Sequence, residues 1–391
     1  MQTVNFLFPT KLYFGKGSLN RLAEVELPGK KALIVTSAGG SMRRNGYVDR
    51  LTAILDQVHV SYAMFEKILP NPHLEHVMEA VDVIKAEGCD FIIALGGGST
   101  IDSSKATAIA CTNPGNYWDY VDGGSGGGKP IVNKPLPLVA ITTTAGTGTE
   151  ADPWMVISNE KTGEKIGNGY ADGVDTFPTI SIVDSDLMMT VPSRLTAYQG
   201  FDALFHSTEG FINSKATDVS SMYALKAIEL IAKYLPIAVK DGSNEEAREK
   251  MALANTLAGF VEWLSGCTSE HSMEHALSGV KPAITHGEGL IMVCKEYYTF
   301  YKDFCKDKYV QMAKAMGREN ATDPQEFIDA LMELSEVCGV ANPKMSDYGI
   351  KEEDLPMIAH HAWYTMGGLF QVDPFVHTEA DTLGILQRSY Q

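Results

Sequence analysis

The five apolar residues Phe91-Ile92-Ile93-Ala94-Leu95 halt at Gly96-Gly97-Gly98-Ser99 and give way to a helical pattern that includes Asp102 and Lys105. A short buried strand that ends in glycine and opens a helix is the joint of a parallel sheet covered by helices. The same joint recurs along the first half of the chain. Ala32-Leu33-Ile34-Val35-Thr36 runs into Ser37-Ala38-Gly39-Gly40-Ser41, and Leu138-Val139-Ala140-Ile141 and Ile180-Ser181-Ile182-Val183 complete the set. Between the first two runs, Val77, Ala80, Val81 and Ile84 recur at helical spacing within residues 73–87.

After about Pro192 the pattern changes. Ser193 is a good helix N-cap, and helical patterns follow over 194–213, 218–239, 245–264, 288–302, 324–338 and 354–366. The expected architecture is an α/β nucleotide-binding domain with a parallel sheet over residues 1–190, followed by an all-helical domain over 191–391. The glycine-rich stretch 123–128 falls inside the first half and reads as a surface loop, not a domain linker.

Charge narrows the partners. Acidic residues outnumber basic ones, 49 to 32, for a net charge of −17. Such a chain is a poor match for nucleic acid or an anionic membrane, whose phosphates call for Lys/Arg on the protein side. No basic segment followed by a long apolar run opens the sequence, and no stretch reaches the ~20 apolar residues of a membrane span. The six cysteines are scattered without a CxxC pair and read as reduced thiols, so a cytoplasmic location is expected.

Two loops can present donors to a phosphate. Gly97, Gly98 and Ser99 open a helix, where glycine permits close backbone approach and the free N–H groups attract an anion. The alternative is a plain strand-to-helix turn, and the fingerprint GxGxxG is absent. Thr142-Thr143-Thr144-Ala145-Gly146-Thr147-Gly148-Thr149-Glu150 also follows a strand and carries five hydroxyls. Two such loops at the carboxyl ends of parallel strands point to a nucleotide.

The second half carries the sharper constellation. Asp202 and His206 stand four apart in a helical stretch, and His271 and His275 repeat that spacing, with His286 following. One Asp with several His suits zinc or ferrous iron far better than magnesium or calcium, which prefer oxygen. Glu270 and Glu274 stand near enough to be ligands too, but are read in preference as exposed helix charges. The zincin motif HExxH fails, because Ser272 follows His271. Phe260, Trp263 and Cys267 form a stripe that suits a pocket wall or a core equally.

These motifs together resemble the iron-containing (group III) alcohol dehydrogenase family. Pro70-Asn71-Pro72, GGGSTIDSSK at 96–105, TTTAGTGTE at 142–150, Glu164-Lys165, GFDALFH at 200–206, HSMEH from 271 and THG ending at 287 stand in order across nearly the whole chain. The resemblance implies the two-domain fold above, with a metal in the cleft. It implies Asp202, His206, His271 and His286 as ligands of one divalent metal, iron or zinc, and His275 beside the nicotinamide as proton relay. It places Gly97, Gly98, Ser99 and Asp102 around the cofactor diphosphate. Thr143, Thr147 and Lys165 would line the diphosphate, ribose and nicotinamide region. The implied reaction is reversible hydride transfer between a nicotinamide cofactor and a small alcohol or aldehyde, by a homodimer.

NADP(H) is expected in preference to NAD(H). An NAD site usually offers Asp or Glu after an early strand to hold the ribose 2′-hydroxyl. Residues 37–44 contain no acid; they offer Gly39, Gly40, Ser41, Arg43 and Arg44, and the stretch resembles the NADP-using, butanol-dehydrogenase-like branch of the family. Two rivals share parts of this pattern. A dehydroquinate-synthase-type cyclase or lyase would need a basic cluster for a substrate phosphate, and residues 200–290 hold few basic groups. A non-catalytic, metal-stabilised nucleotide-binding protein would close four ligands around the metal.

Overall fold

The apolar runs form a six-stranded parallel sheet. In the computed structural model, which describes residues 4, 6–170, 176–375 and 377–391, the strands are β1 (Lys11–Phe14), β2 (Lys31–Ser37), β3 (Ser61–Ile68), β4 (Phe91–Gly96), β5 (Leu138–Thr142) and, after a separate antiparallel hairpin of β6 (Trp154–Asn159) and β7 (Glu164–Gly169), β8 (Ile180–Val183). Their order is β1-β8-β5-β4-β2-β3. Residues of β2, β4, β5 and β8 are buried almost throughout, as expected of strands covered on both faces. The connections are α1 (Ser41–Arg44), α2 (Tyr47–Gln57), α3 (Leu74–Glu87) and α4 (Gly98–Thr112). Leu51, Leu55 and Val48 of α2 pack with Ile34 and Phe91 on one sheet face; Ala80 and Ile84 of α3 pack with Leu33 and Ile92 on the other.

Strand order decides where a ligand can sit on this unit. From β2 the chain moves outward to β3, then crosses back to β4 on the other side of β2. The loops leaving the carboxyl ends of β2 and β4 therefore diverge and open a crevice, the usual place for a nucleotide on such a sheet. Those loops are 38–40 and Gly97.

The second unit is helical: α5 (Ser193–Ile212), α6 (Asp218–Lys240), α7 (Glu245–Leu264), α8 (Ser269–Val280), α9 (His286–Tyr301), α10 (Lys306–Ala315), α11 (Gln325–Val337), α12 (Leu355–Phe370) and α13 (Glu379–Ser389). Phe201, Phe205, Ile228, Met251, Leu277, Tyr297, Tyr298 and Phe327 share its core. This unit comprises Val191–Gln391, the N-terminal residues to Phe6, and Ala145–Gly148; the sheet unit takes Leu7–Thr144 and Thr149–Thr190. The sequence boundary at 190 thus meets the structure's at Val191, but residues 145–148 join the helices. The reason is local: the Gly148 N–H donates to Asn255 Oδ1 at 2.9 Å, and the Gly146 carbonyl lies 3.3 Å from His206 Nδ1.

Candidate active site

In the helical unit, one face of α5 carries Asp202, His206 and Glu209, spaced by four and three residues. On α8, His271, Glu274 and His275 share a face in the same way, and His286 is the first residue of α9. A Cβ on Gly287 would stand 2.1 Å from the Tyr198 carbonyl oxygen, so only glycine lets α9 start this close to α5. That approach brings His286 beside Asp202.

Three imidazoles converge on one carboxylate oxygen. Asp202 Oδ1 lies 3.6 Å from His206 Nε2, 3.6 Å from His271 Nε2 and 3.3 Å from His286 Nε2. With metal–ligand bonds of about 2.1 Å, the edge of a tetrahedron is about 3.4 Å, which these separations match. Asp202 Oδ1 and His271 Nε2 are buried and have no hydrogen-bond partner, a costly arrangement that a cation would relieve. The donor set, one carboxylate and three imidazoles, fits zinc or ferrous iron.

The opposite ring nitrogens are held by oxygen acceptors. His271 Nδ1 donates to Glu209, His286 Nδ1 donates to Glu274, and His206 Nδ1 faces the Gly146 carbonyl. Protons on Nδ1 leave the Nε2 lone pairs pointing at Asp202, the arrangement that orients imidazoles for a metal. Glu270 and Glu274, read from sequence as exposed charges, are in fact fully buried. Glu209 was not singled out from sequence, and Glu274, weighed there as a ligand, instead accepts the Nδ1 proton of one, His286. Their only signal was helical spacing, seven residues from Asp202 for one and three from His271 for the other.

Electrostatics prepare the donors. Burial pushes the Asp202 carboxyl up, but the imidazoles of His206, His286 and His271 facing it outweigh burial and hold it well below the usual carboxylate range. Burial brings His206 down to about 3 against the pull of Asp202, with His271 and His286 adding to the fall. At neutral pH the centre therefore holds an anionic Asp202 and a neutral His206.

Two further groups reach this centre. Cys267, left from sequence between pocket wall and core, forms with His206 and His271 a set of ligand atoms lying within 4.8 Å of one another. Glu262 Oε2 is 3.9 Å from His206 Nε2. His275, Glu274 and His286 form another such set, and His275 Nδ1 lies 2.7 Å from Met366 Sδ.

In the sheet unit, the first turn of α4 has no side-chain cap at Gly97, which leaves its N–H groups to an anion. A Cβ on Gly97 would meet Thr144 Cγ2 at 2.8 Å, so glycine here lets the loop after β5 close on the loop after β4. Thr143 N–H donates to the Gly96 carbonyl at 3.0 Å. Gly98 is buried and Ser99 half-buried at this helix start, while Thr147, half-buried, belongs to the helical unit. Asp102, expected beside the diphosphate, stands in the first half of α4. It is buried and accepts from Thr149 Oγ1 at 2.7 Å and Val156 N–H at 2.9 Å. Its carboxylate pins β6 and the hydroxyl-rich loop to α4. Lys105, fully buried, reinforces the same joint through Thr149 Oγ1 and Asp152. Lys165 is buried on β7.

At the end of β2, Gly39 is exposed and Gly40 and Ser41 are half-buried at the start of α1. Neither arginine of the expected phosphate site is idle. Arg43 pairs with Glu66 through Nε at 2.7 Å and Nη2 at 2.8 Å, and Arg44 Nη1 donates to the Gly39 carbonyl at 2.6 Å. No helix among the described residues is long and apolar enough to cross a membrane.

Residues 9–185 match the family model for iron-containing alcohol dehydrogenase, and residues 196–390 match the C-terminal model of the same family. The NAD-dependent methanol dehydrogenase of Bacillus methanolicus is 32% identical over 98% of this chain and 99% of its own length. The NADH-dependent butanol dehydrogenase A of Clostridium acetobutylicum is 30% identical over the whole of both chains. A solved archaeal alcohol dehydrogenase from a Red Sea brine pool superposes over both complete chains with a TM-score of 0.93 at 31% identity. The chain belongs to the iron-containing alcohol dehydrogenase family, oxidoreductases that use a nicotinamide cofactor and a divalent metal.

Proposed function

We propose that this protein interconverts small primary alcohols and aldehydes with NADP(H) as the preferred cofactor. The carrying observation is the convergence of three Nε2 atoms on Asp202 Oδ1 while each Nδ1 faces an oxygen acceptor. When bound, the cation supplies Lewis-acid polarisation of a carbonyl oxygen and the nicotinamide supplies or accepts the hydride.

Asp202, His206, His271 and His286 would hold the metal. Glu209 and Glu274 keep His271 and His286 in the tautomer that presents Nε2. Gly97, Gly98, Ser99 and the α4 N-terminus bind the diphosphate through backbone N–H groups. Thr143, Thr147 and Lys165 line the remainder of the cofactor. His275, with Nδ1 2.7 Å from Met366 Sδ and Nε2 4.0 Å from Glu274 Oε2, would hold or pass on the alcohol proton. Gly39, Gly40 and Ser41, with no acid in residues 37–44, admit a 2′-phosphate. We further propose a cytoplasmic homodimer, which sedimentation of the purified chain tests.

The test is an aldehyde panel assayed with NADPH and with NADH, before and after exhaustive chelation and after return of iron or zinc. Turnover that disappears on chelation, returns with metal and is faster with NADPH supports the reading. Undiminished turnover after metal removal, or tight nucleotide binding without turnover of any aldehyde, overturns it.

A further inference from the structure

Glu66 lies near the carboxyl end of β3, directly beside the end of β2. Val35 pairs with Phe65 and Ser37 with Ile68, and the Ala38 N–H donates to the Ile68 carbonyl at 2.8 Å. The loop 38–41 therefore leaves the sheet alongside Glu66. Arg43, on the short helix after that loop, offers its Nε and Nη2 in parallel to the two Glu66 oxygens. This is the fork geometry with which an arginine also grasps a phosphate, so a carboxylate and a 2′-phosphate compete for the same two donors.

We propose that Glu66 sets the balance between NADP(H) and NAD(H) by holding Arg43, which a 2′-phosphate must take from it. The inference rests on the reading that the ribose end of the cofactor lies at loop 38–41. Three features support it. The pair stands beside loop 38–40, which is one wall of the crevice between the ends of β2 and β4, on the side of β2 that faces β3. Arg43 is half exposed and Glu66 a third exposed, so the guanidinium can turn to a ligand while the released carboxylate is rehydrated. Arg44 already braces the loop through the Gly39 carbonyl, which makes Arg43 the arginine whose commitment can change. Glu66 thus lowers the gain from a 2′-phosphate twice, by neutralising Arg43 and by adding a negative charge next to the dianion.

Calorimetric titration of the full-length protein with adenosine 2′,5′-bisphosphate and with ADP tests this without turnover. The quantity read is the ratio of the two affinities in the unmutated protein, Glu66→Gln, Arg43→Ala and the double variant. Glu66→Gln should raise the ratio for the bisphosphate about tenfold, and Arg43→Ala should lower it by a similar factor. In the Arg43→Ala background the gain from Glu66→Gln should shrink to about twofold or less. An unchanged ratio in Glu66→Gln, or an undiminished gain in the double variant, overturns the inference. An unmutated protein that prefers ADP while Glu66→Gln shifts toward the bisphosphate would overturn the NADP(H) preference and leave the role of Glu66 standing.

Discussion

Glu209 accepts the Nδ1 proton of His271 across 62 residues of sequence. Its Oε1 also accepts from the Thr268 hydroxyl at 2.9 Å and from the Thr268 N–H at 3.1 Å, so the carboxylate ties the start of α8 to α5. Glu209→Gln keeps the shape and removes the charge that steadies the His271 tautomer. We expect zinc or ferrous iron affinity, measured by chelator competition, to fall about 10- to 100-fold, the usual cost of losing such a partner. Unchanged affinity would show that α8 alone sets the orientation of His271.

Glu270, on the same helix, is the contrasting case. It is buried, neither carboxyl oxygen has a hydrogen-bond partner, and burial with the neighbouring Glu209 charge pushes its carboxyl well above the usual range. Glu270→Gln exchanges this carboxyl for an uncharged group of the same size. Metal content by elemental analysis should stay within about twofold of the unmutated protein, the span expected when no ligand and no partner of a ligand is touched. A metal-free Glu270→Gln protein would mean that this carboxylate, and not a neighbour, is a ligand.

What the sequence disclosed followed from local periodicity. Asp202 with His206 and His271 with His275 were visible because a spacing of four puts residues on one helix face, and the buried strands because their apolar runs are unbroken. Glu209 was not, since a helix carboxylate normally faces water and only the packing of α5, α8 and α9 shows that this one does not; Glu274 was weighed as a ligand, and the same packing buries it against His286. Strand β3 escaped notice because it is the sheet edge, half exposed, with Glu66 and Lys67 interrupting its apolar residues. Residues 145–148 continue the hydroxyl-rich run in sequence, yet their partners are His206 and Asn255, more than 50 residues away.

His275 is buried, and its ring centroid lies 5.3 Å from that of His286. If Nε2 relays the alcohol proton, His275→Ala should retain metal and bind nucleotide normally while kcat falls about 10²-fold or more. The pH–rate profile should lose one limb. A variant with normal kcat and an unaltered profile would leave this histidine a packing role alone.

Asp373 and His377 form a buried pair whose pH effects oppose each other. Asp373 accepts from the Ser269 N–H at 3.0 Å and from the Tyr301 hydroxyl at 2.8 Å, and His377 Nδ1 lies 3.5 Å away. Burial pushes the Asp373 carboxyl up to about 7, against its hydrogen bonds from Ser269 and Tyr301. Its folded value lies above its unfolded one, so its stabilising protonation is complete below about 4 and is lost as pH rises through 7. Burial pulls His377 down to about 4, so its contribution is lost as pH falls from about 6.5 through 4. Asp373→Asn should therefore gain melting temperature relative to the unmutated protein as pH rises from 5 to 8. An offset between the two proteins that stays constant over that range would refute the raised carboxyl.

Gly39 is the position at which cofactor choice can be reversed with least disturbance. A Cβ there meets no atom within 4 Å, and its backbone is not in the left-handed region, so an L side chain is accepted without strain. The Arg44 contact to Gly39 uses the backbone carbonyl and survives any substitution. Gly39→Asp would place a carboxylate at the end of β2, where it can accept from a ribose 2′-hydroxyl and repel a 2′-phosphate. The ratio of kcat/KM for NADPH to that for NADH should fall at least about tenfold, mainly through a higher KM for NADPH. Melting temperature should hardly change, since the site is exposed and unstrained. Equal losses with both cofactors would instead mean that the loop carries the cofactor without contacting its ribose, and the assignment of Gly39, Gly40 and Ser41 to the 2′-position would have to be abandoned.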